Sequence, residues 1–177
     1  MPNDLKKKLV LCVATKADGP HGQPFAIGAV VCNITTGQAI DTFSAKAELQ
    51  SISDTFTINE VLPVVKRSTG KIYESRREMR NAFWEFYMWY REMAIVLGDF
   101  NVPYISNLFR DCIFDEFRSR EHLAPQPLHE LSTFLYAKHI DPNKDRKELI
   151  GSLADAWRRH DPLQDAMISA YIFCAYR

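Results

Sequence analysis

With 177 residues, of which 46% are apolar, the chain is long enough to bury a substantial core as one domain over residues 1–177. Its 22 basic and 22 acidic residues balance, which excludes general surface attraction to nucleic acid, so any such binding must come from a local patch. The four cysteines are far apart with no C-x-x-C pair, which predicts reduced thiols rather than a zinc site, and no apolar run approaches the roughly 20 residues needed to span a bilayer.

The N-terminal stretch is basic, but its apolar run is too short for a leader and no small-residue cleavage site follows, so a soluble cytoplasmic protein without membrane attachment is expected. Lys8 to Val13, apolar without a break from Leu9 on, is a run suited to a buried central strand. Asp18-Gly19-Pro20, Gly22 and Pro24 make a turn. Phe25 to Asn33 reads as a second strand, Thr35 to Gln38 as a tight connection, and Ala39 to Ala47 as a third strand. Three strands on short loops predict an antiparallel meander.

Residues 49 to 70 show no clear period. Ser75 then caps a helix, with Glu78 three residues on. Met79, Ala82, Phe83, Phe86, Tyr87, Tyr90 and Met93 give that helix a wide apolar face running to about Met93. Trp84, Met88 and Trp89 fall off this stripe and are available to cover a neighbouring segment or a second subunit. Ala94 to Leu97 reads as another buried strand closing at Gly98-Asp99, followed by helices over 102–114 and 128–139. The last helix starts with Asp161 at the N-cap, Pro162 at the first position and Gln164 three residues after the cap, a capping-box arrangement. The predicted order is β-β-β-α-β-α-α-α, an α/β layer architecture with a mixed sheet flanked by helices.

Four stretches carry a family resemblance. Val13-Ala14-Thr15-Lys16-Ala17-Asp18-Gly19-Pro20 is similar to a first motif of the form Asp-x-Glu-(Ala/Thr)-x-Gly-Pro, and Phe25 to Val30 to the strand that follows it. Leu97-Gly98-Asp99 falls where a second-motif aspartate ends the fourth strand, and His160 to Asp165 matches His-x-x-x-x-Asp. The chain resembles the histidine-containing DEDD-type (DEDDh) 3′-5′ exonucleases of the ribonuclease H-like fold. That resemblance implies two Mg²⁺ or Mn²⁺ ions straddling a scissile phosphate, four carboxylates holding them, and a histidine that takes a proton from the attacking water. It assigns Asp99 and Asp165 as surviving metal ligands and His160 as the base.

The first motif departs from the pattern, with Ala14 in place of the aspartate and Lys16 in place of the glutamate. Four carboxylates would total −4 against two divalent ions, whereas these four positions total −1. A unit-charge repulsion at about 4 Å costs roughly 4 kcal/mol at an effective dielectric near 20. An ammonium here is instead attracted to Asp99 and Asp165, so Lys16 is expected to stand in for the metal and Mg²⁺ or Mn²⁺ not to bind tightly. Asp18 lies in the turn two residues further on and is a weaker candidate ligand. Arg158 and Arg159, beside His160, and Arg76 and Arg77, in a basic stretch, are candidate phosphate contacts. His21, His122, His129 and His139 lack metal-ligand spacing. The expectation is an exonuclease-like protein impaired in metal-dependent phosphodiester hydrolysis that retains nucleic-acid or protein binding, with single-stranded RNA or DNA as partner and a homodimer as its assembly. Two other readings stay open: an active 3′-5′ exonuclease on RNA or single-stranded DNA, and an engineered inactive form of one.

Overall fold

The computed structural model describes residues 7–48, 52–99 and 102–177. The first three residues of the period-free stretch and the two that follow Asp99 lie outside that set. The meander is present as β1 (Leu9–Ala17), β2 (Pro24–Asn33) and β3 (Ala39–Ala47), antiparallel throughout. β5 (Ala94–Gly98) joins the other edge of β1 in parallel. Two short edge strands complete a sheet of order β4-β3-β2-β1-β5-β6: β4 (Lys71–Tyr73) beside β3, and β6 (His129–Glu130) beside β5, both parallel.

β1 is buried on both faces, and its alternation divides two cores. Val10, Cys12 and Ala14 face one cluster with α7 (Pro162–Tyr176), while Leu11 and Val13 face the other with α2 (Arg76–Tyr90) and α3 (Val102–Asp115). Lys16 continues the even-numbered series, so strand parity alone directs positions 14 and 16 toward α7. α7 can lie close because of Gly28, the register partner of Ala14: a Cβ there would come within 2.1 Å of the Pro162 carbonyl carbon. Glycine at that point is required for backbone approach.

Other elements differ from the sequence expectations for local reasons. The period-free stretch holds a π-helical turn (Thr57–Val61) running into α1 (Leu62–Arg67), with Val61 and Val65 packed on Phe25 and Ala26. α2 begins where expected, the Ser75 side chain accepting a hydrogen bond from the Glu78 amide, but stops at Tyr90 because Ala94 must start β5 opposite Leu9. The helix expected over 128–139 gives up His129 and Glu130 to β6 and is helical only as α5 (Leu131–Ala137). Two further short helices, α4 (Phe117–Arg120) and α6 (Arg146–Ile150), were not expected. Trp84 is buried, with the Arg120 guanidinium over its ring, while Trp89 stands 77% exposed. All four cysteines are free thiols. Burial raises the pKa of each, Cys32 to about 11 and Cys112 to about 12, so they are protonated packing groups. Among the described residues, no helix is long and apolar enough to cross a membrane.

Candidate functional site

The C-terminal ends of β1 and β5, the start of α7 and the chain around α6 enclose a cleft of about 960 Å³. Lys16, Asp99, Asp165, His160 and Arg159 all line it. Ala14 lies beneath, 1% exposed, in the core under α7. Arg158, Arg76 and Arg77 are not among its lining residues. Arg77 instead donates to the Asp115 carbonyl oxygen at 2.9 Å and Arg76 to that of Gln23 at 3.5 Å, contacts that tie α2 to its surroundings.

α7 supplies two of the polar groups, one turn apart on its sheet-facing side. Its start is fixed by the Asp161 carboxylate, which accepts from the amides of Leu163 and Gln164, and by Pro162 at the first position. The capping box expected of Gln164 does not form. Its side-chain oxygen reaches past the cap and accepts from the Arg158 amide at 2.6 Å, because the Asp161 amide already donates to the Arg158 carbonyl. These bonds close the turn that carries His160 at φ +72°, a left-handed conformation costly for a residue with a Cβ.

Asp165 is 3% exposed and its two oxygens are divided. Oδ2 accepts from Lys16 Nζ at 2.6 Å, and Oδ1 accepts from the Trp157 indole Nε1 at 3.0 Å. Asp99, at the exit of β5, is 6% exposed and held differently. Its Oδ1 accepts from Ser169 Oγ at 2.5 Å and pairs with Arg146 Nη2 at 2.7 Å. Lys16 was expected to serve both carboxylates, but its bond goes to Asp165, and Arg146 takes Asp99. Burial raises the Asp99 pKa, opposed chiefly by the Arg146 charge. Two cations thus face two carboxylates, and the centre of the site is neutral.

His160 is half-buried with its ring edge-on to Phe56, centroids 5.8 Å apart. Burial, followed by the Lys16 charge, lowers its pKa, so the imidazole is neutral at pH 7 and able to accept a proton. Asp18 does not serve the site. Its carboxylate accepts from the Ser53 and Asp54 amides and from Ser53 Oγ, tying the turn to the next segment, and the Asp54 and Ser53 amides lower its pKa. Thr15 lines the cleft, and its buried hydroxyl has no hydrogen-bond partner among the described residues.

Sequence reasoning missed Arg146, Trp157 and Ser169. Ser169 carried a signal, since it lies four residues after Asp165 and must share its helical face. Arg146 and Trp157 lie on irregular or short segments whose spacing carries none.

A six-stranded mixed sheet that starts with an antiparallel meander and is flanked by helices is the ribonuclease H-like α/β fold, in the form found in DEDDh-type 3′-5′ exonucleases. The chain aligns with the nuclease domain of 3'hExo, a DEDDh family member solved bound to rAMP, at a TM-score of 0.64 and 13% identity. That alignment covers 97% of this chain and 92% of that one. A full-length 3'-exonuclease aligns at a TM-score of 0.49 and 14% identity over 96% of this chain and 81% of that one. No family model and no curated protein matches the chain.

A pair of divalent ions does not fit these residues. Hard cations need oxygen donors carrying surplus negative charge. Here both carboxylates are already bonded to side-chain cations, and Ala14 offers only a methyl group. Among the described residues, no three His, Cys, Asp or Glu side chains converge in a way that could hold a metal ion.

Proposed function

We propose that residues 1–177 are a single exonuclease-like domain that does not hydrolyse phosphodiesters by the metal-dependent route and that binds the end of a single-stranded RNA or DNA in its cleft. The observation that carries this reading is the 2.6 Å bond from Lys16 to Asp165. A half-buried ammonium fixed to a would-be metal ligand supplies positive charge where a divalent cation would otherwise have to enter, and repels that cation. Nucleic-acid binding is supported by Arg159, Lys144 and Lys147 in the cleft lining, cations of the kind that contact phosphates, and by the rAMP carried by a domain of the same fold. Cytoplasmic location and homodimerisation belong to the same reading. The exposed Trp89 and Met88 on α2 are the surface available to a second copy, and sedimentation equilibrium tests that assembly.

Incubation with 5′-labelled single-stranded RNA and DNA in Mn²⁺ should leave both intact, while a gel-shift or anisotropy titration with the same oligonucleotides should show binding that weakens as salt rises. Stepwise shortening from the 3′ end refutes the reading. It would instead support an active exonuclease, for which the place of His160 in the cleft lining is the favouring observation. Ala14 and Lys16 have the same physical consequences whether they arose naturally or by design.

A further inference from the structure

Lys16 accounts for one carboxylate only. Asp99, at the end of a different strand, is neutralised by Arg146 Nη2 at 2.7 Å, and that contact owes nothing to β1. Arg146 is not a rim residue swinging in solvent. Its side chain is 15% exposed, the Asp145 carboxylate accepts from the Lys147 amide to fix the start of α6, and Leu149 and Ile150 bury the other side of that short helix in the core under α7. The guanidinium is therefore held from behind, and Ser169 orients the carboxylate it meets.

We infer that Arg146 is a second built-in cation, doing for Asp99 what Lys16 does for Asp165, so that the cleft is closed to divalent ions by two independent elements of the chain. The inference rests on the metal-free reading above and extends it. Charge counting gives the consequence. Lys16 and Arg146 against Asp99 and Asp165 sum to zero. Replacing Ala14 by Asp and Lys16 by Glu adds two carboxylates and removes one ammonium, which takes these positions to −3 while Arg146 stays. One divalent ion then leaves −1, and a second would leave +1. With Arg146 also neutralised the positions reach −4, which two divalent ions balance.

Calorimetric titration with Mn²⁺ alone tests this. The Ala14→Asp/Lys16→Glu variant should take up one ion. The same variant with Arg146→Gln should take up two, and with Arg146→Lys, which keeps the charge, it should stay at one. In the unmodified background Arg146→Gln should tighten Mn²⁺ binding by about tenfold or more, the order expected on removing a like charge from close range at an effective dielectric near 20. Two ions in the double variant, one in the triple variant carrying Arg146→Gln, two in the one carrying Arg146→Lys, or unchanged affinity in the single Arg146→Gln protein would each overturn the inference. The metal-free reading fails separately, through tight two-ion binding by the unaltered chain.

Discussion

Lys16→Met measures what the ammonium contributes. Methionine keeps the length of the stem and removes the charge, so Asp165 is left 3% exposed with the Trp157 indole as its remaining side-chain donor among the described residues. At 2.6 Å and an effective dielectric near 20 the gross attraction is about 6 kcal/mol. Part of that is offset because the variant no longer desolvates an ammonium. Breaking a buried pair by removing one partner costs about 3–5 kcal/mol net, because the other charge is stranded. For a domain of this size that corresponds to a fall in Tm of roughly 6–20 °C, a large share of the 5–15 kcal/mol that folded domains possess. The assay is urea unfolding at pH 7 followed by circular dichroism, for the two single variants Lys16→Met and Asp165→Asn and for their combination. The combination should be markedly less destabilised than the sum of the single variants, since it strands no charge. A loss below about 1 kcal/mol for Lys16→Met, the size of an exposed pair, would refute the reasoning by showing that the ammonium is a solvated group and not a fixture of the site.

Two further outcomes follow from the same geometry. Gly28→Ala puts a Cβ about 2.1 Å from the Pro162 backbone, so α7 must shift; we expect more than about 3 kcal/mol of destabilisation and loss of the Lys16–Asp165 contact, and a wild-type melting temperature would contradict the close approach. His160→Asn tests the histidine through pH. The folded His160 binds its proton less readily than the unfolded chain, so its neutral form is favoured by folding; that contribution is fully present above pH 6.5 and is lost as pH falls from 6.5 through the depressed folded value. The asparagine variant, which tolerates positive φ, should flatten the stability profile in that window, and an unchanged slope would exclude His160 as its cause.

Features that depend on neighbours in sequence could be read in advance. The apolar run of β1, the Ser75 cap of α2 and the Asp161-Pro162 start of α7 each rest on spacing within a few residues, and each has its expected counterpart in the structure. The parity that sends Ala14 and Lys16 to one face was likewise implicit in β1. Edge strands of two or three residues could not be read, because so short a segment has no period, and His129-Glu130 becomes a strand only through its pairing with Leu97 and Gly98. Arg146 shows the limit for the site itself. A guanidinium meets Asp99 through the path of α6 over the sheet, and nothing local to either residue encodes that meeting. Gln164 failed in a third way: its capping role was a correct local pattern, overridden when the tight turn before it offered the Arg158 amide.

The bond from the Trp157 indole to Asp165 gives the cleft its own optical reporter. Of the three tryptophans, Trp84 is sealed in the interior and Trp89 is exposed on α2, and since neither lines the cleft neither changes surroundings when it fills. Trp157 lines the cleft and shares its carboxylate with Lys16, so any guest that draws the ammonium away alters the polarity around the indole ring and shifts its emission. Occupancy of this protein can therefore be followed by intrinsic fluorescence, without a label.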